Sequence, residues 1–138
     1  MRVIALKGDG NVGKSETINI VYQLLLYNGF EQVLGCFREC GNSAMRDFID
    51  VLEKDNVRVG VVSHGDYAIG KDSLKRHLAA LEYFNCNVAI CACTIKRGTI
   101  AAVEAYSERV FIEKIKSPSK GLQRVENGNK AVEIYYNI

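Results

Sequence analysis

The stretch from Arg2 to Gly29 constrains the fold more than any other part of the chain. An uninterrupted apolar run, "RVIALK" (2–7), ends in the glycine-rich "GDGNVG" (8–13), and helical periodicity begins directly after it. A short run that is apolar at both odd and even positions suits a strand buried on both faces, as in parallel sheets. Ile18, Val21, Tyr22, Leu25 and Leu26 then recur at three- and four-residue spacing, and Asn28-Gly29 supplies a stop. A buried strand that turns through glycines straight into a helix is half of a βαβ unit, so the next strand beside it is reached by a right-handed crossover.

The rest of the chain continues the alternation. "EQVLGCF" (31–37) reads as a second strand, and two β-prone runs, 48–53 and 57–62, flank the turn-forming "KDN" and predict a hairpin. A helix over 43–55, capped by Ser43, is the alternative for the first of these runs. "KDSLKRHLAALEYF" (71–84) is an amphipathic helix, "NVAICACTI" (87–95) a buried strand, "RGTIAAVEAYSER" (97–109) a helix and "VFIEKIK" (110–116) a strand. "SPSKGLQRVENGN" (117–129) reads as a long loop far from the chemistry, and "KAVEIYYNI" (130–138) as a final strand. Alternating strands and helices predict an α/β fold, a mostly parallel sheet with helices on both faces and one antiparallel hairpin strand.

With 138 residues and one proline, the chain is expected to form one domain over 1–138. A net charge of +2, with Lys and Arg scattered along the chain, leaves no footprint for nucleic acid. The N-terminal apolar run lacks the length of a signal segment or a membrane span. Cys36, Cys40, Cys86, Cys91 and Cys93 make an odd count in mostly apolar surroundings, which points to a reducing, cytoplasmic setting. As metal ligands, Cys36 and Cys40 with Cys91 and Cys93 lack the usual two-residue spacing, and no nearby His completes a set. The cysteines are therefore expected to be small buried hydrophobes.

"GDGNVGKS" satisfies G-x-x-x-x-G-K-S/T through Gly8, Gly13, Lys14 and Ser15, with Asp9, Gly10, Asn11 and Val12 as the variable span and Glu16 following. The expected strand before it and helix after it supply the context this pattern needs. In such a turn the glycines let backbone N–H groups face inward, and the helix N-terminus adds partial positive charge aimed at an anion. Lys14 would reach the outer phosphates of a nucleoside triphosphate, and Ser15 would place its hydroxyl on Mg²⁺.

The metal needs an acidic partner, and "VSHGD" (62–66) is the natural source. Asp66 is the candidate, contacting the ion through water; Ser63 is the alternative, and Gly65 offers an N–H to the terminal phosphate. His64 either positions an attacking water or is a loop histidine. "TIKRGT" (94–99) should lie near the ligand because strand ends carry the crevice in an open α/β sheet. There Lys96 and Arg97 could steady transition-state charge, or Arg97 could simply start a helix capped by Thr94 or Thr99. Arg38 and Glu39 are candidates for contact with a second substrate.

With these motifs, and "CACTIKRGTIAAVEAYSE" after them, the chain resembles the P-loop NTPase superfamily, and within it small single-domain ATP-binding proteins of bacteria and phages. Gly65-Asp66 and Arg97-Gly98-Thr99 match that group's weaker signatures. The resemblance implies a three-layer α/β/α fold, Mg²⁺ and ATP as ligands, Lys14, Asp66 and Arg97 as catalytic groups, and slow hydrolysis at most, in a switch or accessory role with a protein partner. The hairpin is similar to the middle of Ras-like GTPases, but Asn129-Lys130 is followed by Ala131-Val132, so the guanine-reading N-K-x-D is missing. A small nucleotide or metabolite kinase is the rival reading, with Arg38, Arg97 or Lys71 holding the acceptor, although the expected acceptor insert and arginine-rich lid are not evident.

Overall fold

A computed structural model describes residues 1–138. β1 (Arg2–Lys7) runs into α1 (Lys14–Tyr27), as the N-terminal pattern requires. The short β2 (Glu31–Gln32) and β3 (Arg38–Glu39) precede the hairpin of β4 (Phe48–Lys54) and β5 (Val57–Val62). Then come α2 (Leu74–Tyr83), β6 (Val88–Cys93), α3 (Arg97–Glu104), β7 (Arg109–Glu113) and α4 (Lys120–Tyr135). The strands form one seven-stranded sheet in the order β2-β4-β5-β6-β1-β7, with β3 also paired to β4. β5, β6, β1 and β7 are parallel neighbours, and β4 alone runs the other way. The protein is thus an α/β fold with a mixed, mostly parallel sheet and four α-helices.

Alternation explains the apolar runs. Val3 and Ala5 of β1, with Ala89, Cys91 and Cys93 of β6, pack under Leu74, Leu78, Leu81 and Val103 from α2 and α3. Ile4 and Leu6, with Ile90 and Ala92, face Ile18, Val21 and Leu25 of α1 and Ala131 and Ile134 of α4. Both faces of the central strands are therefore dry, and neither can be polar. No helix is long and apolar enough to cross a membrane.

The hairpin is present and the helix over 43–55 is not; only a single 3₁₀ turn forms at Ser43–Met45. Asp55 and Asn56 take φ of 50° and 65°, the two positive values that a two-residue type I′ turn demands and that Asp and Asn tolerate. Two expectations fail. The strand over 31–37 is broken after Gln32, because Gly35 (φ 82°) makes a turn that leaves Leu34 almost fully exposed. The final strand over 130–138 and the long loop before it are together the helix α4. Ser119 caps it by accepting from the Leu122 N–H, and Asn127, Ala131 and Ile134 form its buried stripe. Those spacings of four and three override the β-favouring "EIYY", whose Tyr136 lies in solvent.

β1 ends in register with both neighbours, Lys7 opposite Cys93 and opposite Glu113. The loops after β1, β5, β6 and β7 consequently leave the sheet at one edge, where an open α/β sheet forms its ligand crevice.

Candidate functional site

The glycine loop joins β1 to α1. Gly8 donates its N–H to the Cys93 carbonyl at 3.1 Å, and a Cβ there would collide with the Lys114 carbonyl. Asn11 (φ 62°) and Gly13 (φ 93°) supply the left-handed residues that reverse the chain into α1. From Asp9 to Glu16 no backbone N–H donates to another backbone group; the first that does is Thr17, to the Gly13 carbonyl at 3.0 Å. Eight consecutive donors are thus left without backbone partners at a helix N-terminus, an arrangement that favours an anion.

Lys14 is 6% exposed and donates from Nζ to the Asp9 carbonyl at 2.5 Å. Burial lowers its pKa below the ordinary lysine value, against the attraction of Asp66 and Asp9. Ser15 Oγ donates to the Ser63 carbonyl at 3.1 Å, tying the start of α1 to the tip of β5. A second buried cation sits behind the loop: Lys114, 2% exposed, donates to the Val12 carbonyl at 2.7 Å. A trans peptide points its C=O and N–H in opposite directions. By gripping the Val12 carbonyl, Lys114 turns the Gly13 N–H away from itself.

These groups open onto a cleft of about 630 Å³ lined by Asp9, Gly10, Asn11, Gly13, Lys14, Ser15 and Glu16 on one side. Asp47, Ser63, Asp66, Thr94 and Lys96 line the other. Of the residues expected at the site, Gly8 and Val12 shape the loop from its buried side and do not line the cleft. Asp66 is in place, exposed on the rim, and its carbonyl accepts from Lys96 Nζ at 2.7 Å. Gly65 seats this segment on β6: its carbonyl accepts from the Thr94 N–H at 3.1 Å and from Thr94 Oγ1 at 3.3 Å.

Other candidates fall elsewhere. Arg97 is exposed at the first residue of α3 and is not part of the cleft lining; its neighbour Lys96 is. Thr99 Oγ1 donates to the Thr94 carbonyl at 2.8 Å, closing that turn. His64 is neither a solvent-facing loop residue nor at the cleft: it is 3% exposed and lies against Tyr67 and His77. The Ser63 hydroxyl is already committed, accepting from the Phe48 N–H and donating to Asp47 Oδ1, both at 2.9 Å.

That last bond exposes a residue the sequence reading passed over. Asp47 is 5% exposed, immediately precedes β4, and brings a carboxylate to the cleft wall shared with Ser15 and Ser63. Its only sequence signal was an acidic residue abutting the β-prone run at 48. Lys114 and Asn127 were also missed, and no local pattern announces them. Asn127, 1% exposed, donates from Nδ2 to Glu16 Oε2 at 2.9 Å, and a Cβ on Gly13 would meet its side chain. The segment expected to lie far from the chemistry therefore braces the loop itself, and Gln123 from the same helix lines the cleft.

A second cleft, about 460 Å³, lies beyond Asp47 and is lined by Arg38, Arg46 and Lys71 together with Glu39 and Asp72. Asp47 belongs to both walls. Compared with protein-family models, with curated proteins and with solved structures, the chain matches none.

Proposed function

We propose that this chain is a P-loop NTPase of three-layer α/β/α form that binds a Mg²⁺-nucleoside triphosphate, ATP being the expected one, in the cleft over Gly8–Glu16. The observation that carries the reading is the run of unpaired N–H donors from Asp9 to Glu16 wrapped beside buried Lys14. The phosphates would take those donors, Lys14 would leave the Asp9 carbonyl for them, and Ser15 Oγ would hold the ion with Asp47 and Asp66 within the same cleft. The residues fit that ion by chemistry: a hydroxyl and two carboxylates are hard oxygen donors. Bound Mg²⁺ would neutralise charge between the outer phosphates. Hydrolysis is expected to be slow, because no arginine lines the cleft to stabilise a transition state. A nucleotide-dependent switch or accessory subunit suits that chemistry, with a protein partner reading its state.

The second cleft favours one other reading. Three cationic side chains beyond the shared Asp47 are what an anionic phosphoryl acceptor would need, which fits a small nucleotide or metabolite kinase. Calorimetry with Mg·ATP and Mg·GTP on wild type and Lys14→Ala tests the leading proposal. Heat with ATP that vanishes in Lys14→Ala supports it; no heat with either nucleotide sinks both readings. Acceptor-dependent ADP formation, in a screen of phosphoryl acceptors, would favour the kinase.

A further inference from the structure

Away from the nucleotide cleft, three side chains with metal-binding chemistry meet in the interior. Cys40 follows β3, His64 follows the tip of β5, and His77 lies in the first turn of α2. They are 6%, 3% and 0% exposed, and one ligand atom from each lies within 4.8 Å of the others. Their ordinary polar needs are unmet. Neither ring nitrogen of His77 has a hydrogen-bond partner, and Nδ1 of His64 has none.

Buried imidazole nitrogens left alone cost free energy, and native interiors rarely tolerate three together. Gly41 adds a second sign of tailoring. At φ 69° it leaves room that a Cβ would take, 2.8 Å from both Cδ2 and Nε2 of the His64 ring. The pair His64 and His77 stack edge to face with ring centroids 5.7 Å apart.

We propose that Cys40, His64 and His77 form a binding site for a borderline-soft divalent cation, Zn²⁺ being the ion that suits one thiolate and two imidazoles. Zinc takes Cys sulfur and His nitrogen at about 2.0–2.3 Å, which sets ligand atoms of a tetrahedron roughly 3.5 Å apart. The observed spacing reaches that by small side-chain movements. Neither nitrogen of the fully buried His77 ring is committed to another partner, so one lone pair is free for an ion. Binding exchanges the Cys40 thiol proton for the ion: Cys–SH and Zn²⁺ give Cys–S⁻–Zn²⁺ and H⁺. Cys40 also lines the second cleft, from which a water or an oxygen ligand would complete four-coordination.

The sequence reading missed the set because its members are dispersed over 38 positions and no C-x-x-C pair marks them. In the fold the ion would fasten the segment after β3 and helix α2 to the residue beside Ser63. It would thus brace the β5 tip through residues that do not line the nucleotide cleft. The proposal does not depend on the nucleotide reading.

The test uses the full-length chain stripped with a chelator. Zn²⁺ is titrated against a chromophoric chelator, and Co²⁺ is added as a spectroscopic probe. One Zn²⁺ per chain is expected, with a thiolate-to-cobalt charge-transfer band and the intense visible bands of four-coordinate Co²⁺. Cys40→Ser should remove the charge-transfer band, and His77→Gln should weaken Zn²⁺ by more than the roughly tenfold to hundredfold that loss of an outer partner costs. Cys86→Ser and Lys14→Ala should leave both readouts intact. A wild-type chain that retains no Zn²⁺, or whose Co²⁺ spectrum is that of the hydrated ion, overturns the proposal whatever the variants do. So does loss of the thiolate band in Cys86→Ser with its retention in Cys40→Ser.

Discussion

Adding one methyl group to Gly65 tests the seat on which the candidate site rests. A Cβ at this position would fall inside the carbonyl of Ala92 and 2.9 Å from the Cys93 nitrogen, all of it backbone of β6 that cannot swing aside. The segment 63–66 must therefore lift off the strand. Lifting it removes two hydrogen bonds to the Gly65 carbonyl, from the N–H and the hydroxyl of Thr94, each worth about 1 kcal/mol. Overpacking adds about 1–3 kcal/mol. Gly65→Ala should then cost about 3–5 kcal/mol, and in a domain of this size lower Tm by roughly 10–20 °C. Urea unfolding with unchanged slope gives the free energy directly. Calorimetry of Mg·ATP should show a loss of affinity alongside it, since Asp66 is carried by the displaced segment. The same chemical change at Gly128, mid-helix in α4 with no atom within 4 Å of its added Cβ, should stabilise by about 0.5–1 kcal/mol. The reasoning fails if Gly65→Ala unfolds at the wild-type urea concentration, or if the two alanines shift stability in the same direction.

Three further outcomes follow from the site and its surroundings. Burial depresses the Lys14 pKa, so its charge opposes folding wherever the unfolded lysine is protonated and ceases to do so as pH rises towards the unfolded value near 10.5. Lys14→Met should raise Tm at pH 7 without nucleotide, gain less at pH 10, and show none of the Tm rise that the proposed function expects from Mg·ATP; a lower Tm at pH 7 would contradict the sign. Asp47→Asn keeps an oxygen for the Ser63 hydroxyl but removes the buried charge, so titrations with and without Mg²⁺ should differ less than in wild type. Tyr22→Phe removes a 2.7 Å donor from fully buried Asp50, which keeps only Gln32 and its neighbouring N–H. That should cost about 1.5–3 kcal/mol in urea unfolding, as for a hydrogen bond to a charged group.

What could be read in advance was whatever a local pattern encodes. β1, α1, the hairpin, α2 and β6 announce themselves through periodicity, because each buries residues at the spacing of its own geometry. The stretch 130–138 misled because Val132, Ile134, Tyr135 and Tyr136 favour strands, whereas only contact with α1 decides that Ala131 and Ile134 face inward together. The site divides the same way. Lys14 and Ser15 belong to a contiguous stretch that a local pattern marks, and both line the cleft. Lys114 and Asn127 reach that loop from 102 and 111 residues away, through strand order and helix packing that no window of sequence contains. Arg97 was placed by its nearness to a strand end, yet α3 begins at that residue and carries it outward while Lys96 stays at the cleft.

The position of β1 in the sheet has a consequence for how the chain is made. β1 is synthesised before both its partners, β6 and β7, which lie beyond residue 87. Until they are synthesised, one of the most apolar segments of the protein has no edge to join. Pairing so remote in sequence is slow, and an unpaired apolar strand is open to misassociation. The nascent chain must therefore keep "RVIAL" shielded until those strands emerge. The glycine loop cannot be braced until Lys114 and Asn127 have emerged, so its observed shape should form only after α4 is made.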